Sequence, residues 1–168
     1  MDSITRLENH LNSIHQLERI VDNQDVNTDL ILMICGKRIG SGTFRDVYEF
    51  NLDPEYVVKL ERKSTSSNIT EFTIWDEVRG LKGTLAWVKD WFAPIIYLSP
   101  NGKVLIMKKT EPKLNKERPD KVPAFLMDAQ HDNFGWLGNK FVCHDYGFIN
   151  GLISYNKRFK KVDWYEQE

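Results

Sequence analysis

Apolar residues recur at three- and four-residue steps through Ile4, Leu7, Leu11, Ile14, Leu17 and Val21, with Arg6, Glu8, Asn12, Gln16 and Arg19 on the opposite face. That spacing predicts an amphipathic helix over 1–24, capped by Asp2 or Ser3, which packs on the domain or offers a seam for a homodimer. After a polar stretch from Asp22 to Asp29 the pattern shortens to β-like runs at Leu30–Ile39, Val47–Phe50 and Tyr56–Glu61. Ser64–Asn68 supplies helix caps, and Ile69–Val78 has helical spacing, with Asn68 and Glu71 placed as in a capping box. Two hairpins follow. Ile95–Leu98 and Lys103–Met107 flank Asn101-Gly102, while Phe134–Leu137 and Lys140–His144 flank Gly138-Asn139. Trp87 and Trp91 lie four apart, as on one helical face. The charged, proline-containing stretch Lys108–Val122 reads as a linker, and the aromatic and basic tail from Phe148 as solvated with a few anchors.

Composition narrows the classes. At 168 residues and 41 % hydrophobic, the chain has enough apolar side chain for one domain or one small bilobal unit. A formal net charge of −1 gives no global attraction to nucleic acid or an anionic membrane, so any basic binding surface has to be local. Lys157, Arg158, Lys160 and Lys161, interleaved with Tyr155, Phe159 and Trp164, are a mixture able to grip a single strand, but a solvated tail with a few anchoring aromatics is the preferred reading. Cys35 and Cys143 are the two cysteines, too few for a disulfide framework, and the N-terminus carries no apolar signal core. The expectation is a cytoplasmic protein without a membrane span.

Three clusters carry chemistry. Gly40-Ser41-Gly42 lies between two strands, where two glycines let a backbone approach phosphate without β-carbon interference. Lys59 sits inside an apolar strand and needs an anion or carboxylate partner; Glu71 on the next helix suits, with Glu77 as a second candidate. Asp128 and Asn133 stand five apart on a loop, and Asp145 ends the following strand, a hard-oxygen set of the kind Mg²⁺ prefers. The spacing of His131 and His144 matches no transition-metal motif.

In order, these residues resemble the protein kinase superfamily, whose members carry a Gly-rich hairpin, a third-strand Lys, a helix Glu, an Asp-x-x-x-x-Asn loop and an Asp-Phe-Gly element. Gly40 and Gly42, Lys59, Glu71, Asp128 with Asn133, and Asp145-Tyr146-Gly147 match in turn. The resemblance implies ATP and Mg²⁺ as cofactors. Gly40, Ser41, Gly42 and Val47 would cover the nucleotide, Lys59 would hold its phosphates while paired with Glu71, and Met107 and Lys109 would form the adenine hinge. Asn133 and Asp145 would hold the metal, and Asp128 would orient the accepting hydroxyl. Departures are Arg45 at the third glycine, Leu126 where the catalytic-loop His stands, Gln130 in place of Lys or His, and a short stretch after Gly147. Some viral and phage kinases are similarly compact.

The expected fold is therefore α+β and protein-kinase-like. A five-stranded antiparallel N-lobe sheet with one αC-like helix would occupy 30–110, and a reduced C-lobe with a β-hairpin metal site 111–168. The expected function is phosphoryl transfer from ATP to a Ser or Thr hydroxyl of a protein. The alternatives are a pseudokinase binding nucleotide or a protein partner, and, less favoured, a protein nucleotidyltransferase.

Overall fold

A computed structural model describes residues 29, 31–62, 66–112, 117–126, 130–147 and 158–164. The expected helix over 1–24 lies outside them, and so does Asp128. The chain divides into two compact units. One comprises the described residues up to 62 with Ile96–Lys108, and the other Ser66–Ile95 with those from Lys109 onward.

The first unit is built on a sheet of five strands: β1 (Cys35–Ser41), β2 (Arg45–Phe50), β3 (Tyr56–Glu61), β4 (Ile95–Leu98) and β5 (Val104–Lys108). Their order is β1-β2-β3-β5-β4, and the pairs from β1 to β5 are antiparallel. Ile34, Phe50, Val58, Val104 and Ile106 form its core. The β4–β5 turn closes as its sequence predicts. Gly102 takes φ 72°, which a side chain would resist, and the Ser99 N–H donates to the Val104 carbonyl at 2.8 Å. At the start of the sheet the prediction needs correction. Residues 31–34 are helical, and β1 starts only at Cys35. A short apolar run fits either state, and here the helical turn buries Ile34 while leaving Leu32 and Met33 exposed.

The second unit holds one longer helix, α1 (Ser67–Arg79), then 3-10 turns at Gly83–Leu85 and Val88–Trp91. Three further pieces complete it: β6 (Lys121–Pro123), the hairpin β7 (Phe134–Leu137) with β8 (Lys140–Cys143), and β9 (Phe159–Lys161). The expected capping box does not form. Ser66 is the N-cap, in the left-handed region and without a side-chain cap bond, while Asn68 and Glu71 are buried. Nor is the stretch before Val122 merely a linker. β6 pairs antiparallel with β9, Val162 N–H donates to the Asp120 carbonyl at 3.0 Å, and Trp164 Nε1 donates to the Pro119 carbonyl at 3.2 Å. The tail is thus anchored by a strand as well as by aromatics. Phe159 packs on both Trp87 and Trp91, each with ring centroids 5.9 Å apart. Among the described residues no helix is long and apolar enough to cross a membrane.

Candidate functional site

Within the first unit, strand register aligns residues far apart in sequence. Gly40 pairs with Val47, Val47 with Lys59, and Lys59 with Leu105, so one row crosses four strands. Residues directly opposite in antiparallel strands share a face. Lys59 is only 4 % exposed at the centre of β3. Met107 is fully buried opposite Val57, and Lys109 follows the end of β5.

The β1–β2 turn closes with Gly42 N–H donating to the Arg45 carbonyl at 2.8 Å. Its own packing does not demand glycine. A β-carbon at Gly40 would meet Val47 Cβ at 3.5 Å, and one at Gly42 would lie 3.8 Å from the Arg45 carbonyl oxygen, both ordinary contacts. Sequence reasoning missed Arg62, which braces this turn. Its N–H donates to the Phe44 carbonyl at 2.9 Å, its guanidinium to the Gly42 carbonyl, and its Nε lies 3.4 Å from Asp46 Oδ2. The available signal was a basic residue just beyond a strand that pairs with the turn's own strand.

The second unit brings Glu71 and the Asp145-Tyr146-Gly147 segment together. The Tyr146 N–H donates to Glu71 Oε1 at 3.0 Å, and Glu71 is fully buried on α1. A buried carboxylate requires such donors. The Tyr146 ring packs edge-on against Phe92 at 5.0 Å, and its hydroxyl donates to the Ala93 carbonyl at 2.9 Å. Ala93 N–H donates in turn to the Cys143 carbonyl at 2.8 Å, which joins this segment to β8.

Asn133 and Asp145 also meet. Asn133 ends the 3-10 turn His131–Asn133, and its carbonyl accepts from His144 N–H at 2.8 Å and Asp145 N–H at 3.3 Å. One amide and one carboxylate fit a Mg²⁺ that takes its remaining ligands from phosphates and water. Among the described residues no group of three or more His, Cys, Asp or Glu could hold a metal ion alone. His144 is occupied on both ring nitrogens, by Thr110 Oγ1 and by the Asp132 carbonyl, each at 2.7 Å. Thr110 was not foreseen at this place. A glycine inside strand β7, Gly135, was the sequence signal that something approaches closely there. Burial pushes the Cys35 thiol up to about 11, so it is a poor nucleophile at neutral pH.

No family model matches the chain, and no curated protein matches it. Solved structures do. The streptomycin–ATP ternary complex of APH(2'')-IIa matches with 20 % identity and a TM-score of 0.38, over 55 % of this chain and 30 % of that one. The gentamicin complex of APH(2'')-IIa gives 20 % and 0.39, over 54 % and 29 %. The aminoglycoside phosphotransferase APH(2'')-Ib with ADP bound gives 19 % and 0.39, over 55 % and 30 %. The chain thus spans less than a third of each matched structure. Overlaps of this size leave the functional reading to the residues themselves.

Proposed function

We propose that this chain is an ATP-dependent phosphotransferase of the protein-kinase-like type, transferring the γ-phosphoryl group to a hydroxyl. The observation that carries the reading is the hydrogen bond from Tyr146 N–H to the buried carboxylate of Glu71, 75 positions away. The buried carboxylate needs a donor, but any main-chain N–H would serve; taking it from the residue next to Asp145 brings the helix acid to the segment that a nucleotide site needs near its phosphates. The row Gly40–Val47–Lys59 and the tie between Asn133 and Asp145 support it.

In this reading Gly40, Ser41 and Gly42 let main-chain N–H groups approach the phosphates. Lys59 supplies a cation, Met107 and Lys109 the adenine edge, and Asn133 and Asp145 the ligands of Mg²⁺. The metal, when bound, neutralises phosphate charge; positioning does the rest. Asp128 would accept or orient the proton of the incoming hydroxyl. A protein Ser or Thr is the acceptor proposed first.

One observation favours a second reading, a nucleotide-binding module without transfer. Leu126, where the kinases this sequence resembles carry a histidine, is 1 % exposed and offers no polar side-chain group near Asp128 in the sequence. Incubation with γ-labelled ATP and Mg²⁺ or Mn²⁺, alone and with cell lysate, separates the two. Label on protein with the wild type and not with Asp145→Ala is expected. Absence of label with either metal would remove the transferase and leave the binding module.

A further inference from the structure

His144 stands one residue before Asp145, and its ring is held on both edges. A carbonyl oxygen only accepts, so the 2.7 Å contact of Nε2 with the Asp132 carbonyl puts a proton on Nε2. In the neutral ring Nδ1 then accepts from the Thr110 hydroxyl, also at 2.7 Å. Thr110 is itself held in place. Its neighbour Glu111 exchanges two main-chain hydrogen bonds with Trp136, both 3.0 Å. Space for the contact comes from Gly135. A β-carbon there would lie 2.6 Å from Thr110 Oγ1 and 3.4 Å from His144 Nδ1. One imidazole therefore ties together the strand-side residue Thr110, the turn ending at Asn133, and the end of β8.

We infer that His144 is a positioning residue that sets the separation of Asn133 and Asp145. The inference rests on the phosphotransferase reading, in which those two side chains are the metal ligands. Asp132 immediately precedes Asn133, so anchoring its carbonyl to the ring fixes where the Asn133 side chain leaves the turn. His144 is covalently next to Asp145, so the same ring fixes both ligands against each other. Outer partners of this kind change metal affinity by about 10–100-fold when removed.

Glutamine and asparagine divide the role. His144→Gln places an amide nitrogen near the position of Nε2 and keeps the bond to Asp132. His144→Asn reaches only the position of Nδ1, towards Thr110. The probe is Mn²⁺ with ATP, read by electron paramagnetic resonance on wild type, His144→Gln, His144→Asn, His144→Leu and Asp145→Ala. Hydrogen exchange of the His144 and Asp145 amides is measured without nucleotide. Expected is a loss of Mn²⁺–ATP affinity of about 10–100-fold for His144→Leu and His144→Asn, with faster exchange at both amides. His144→Gln is expected to stay close to wild type, and metal-free ATP binding to be unchanged in all three His144 variants. Wild-type affinity in a folded His144→Leu overturns the inference while leaving the phosphotransferase reading standing. Equal losses in the glutamine and asparagine variants also overturn it, because the ring would then be mere packing. Absence of Mn²⁺–ATP binding in the wild type overturns the phosphotransferase reading and this role with it.

Discussion

At Gly40 the structure separates two reasons for a glycine. The neighbouring strand leaves room for a β-carbon, with Val47 Cβ at 3.5 Å, so folding alone does not select glycine there. Gly40→Ala is expected to keep or slightly raise thermal stability, by up to about 1 kcal/mol, since alanine loses less conformational freedom in a strand. ATP affinity, measured by calorimetry, should fall in the same variant. Retained affinity would strip the turn of its assigned role. Tyr146 gives the converse case. Its hydroxyl donates to the carbonyl of Ala93, which is fully buried. Tyr146→Phe keeps the ring and leaves that acceptor without its donor, at a cost of about 1–3 kcal/mol in chemical denaturation. A midpoint equal to wild type would mean that water reaches Ala93.

Among the elements, the β3–β5 pairing carries a charge pair that can be followed by pH. Lys108 pairs across the strands with Tyr56, lies 4.6 Å from its ring centroid, and bridges to Glu55. The hydrogen bond from Lys108, and then its charge, hold the Glu55 carboxyl below its usual 4.5. For Lys108, burial acts downward, but the Glu55 hydrogen bond and nearby negative charges outweigh it and raise the ammonium above 10.5. A lowered carboxyl contributes stability above 4.5 that is lost as pH falls through its folded value. A raised ammonium contributes below 10.5, and loses that contribution as pH rises through its folded value. The pair is therefore fully engaged between those limits, and its exposure keeps the effect small. In Lys108→Ala the Glu55 titration, followed by carbon NMR, should move up towards 4.5. An unmoved midpoint would show that the pair does not form in solution.

Across the whole molecule, what the sequence made legible was local. Asn101-Gly102 and Gly138-Asn139 announce their hairpins because a positive φ at Gly102 and Gly138 is a property of the turn itself. The five strands and α1 were readable from their own alternation and spacing, to within a few residues. What stayed hidden was settled at a distance. β6 and β9 are three residues each, too short for any period, and exist because they find each other across the chain. The start of the expected first strand is a helical turn, because Ile34 has a core to enter. In the candidate site, the residue types of Glu71, Asn133 and Asp145 could be chosen from the sequence. The Tyr146 N–H that meets Glu71 and the Thr110 hydroxyl that meets His144 could not: the first has no sequence signature, and Gly135 signals only that some group approaches, not which one.

The order β1-β2-β3-β5-β4 has a consequence during synthesis. β3 emerges from the ribosome beside β2, but its other edge waits for β5, which follows α1, the 3-10 turns and β4. At about 5–20 residues per second that wait lasts roughly a few seconds. Throughout it, the main chain of Val57, Val58 and Lys59 presents an unpaired apolar edge, the kind of template that recruits other strands. A chain halted at Pro94 would hold that edge open permanently. It should aggregate on release where the full chain stays dispersed, and the nascent protein should depend on chaperones most while its sheet still lacks β4 and β5.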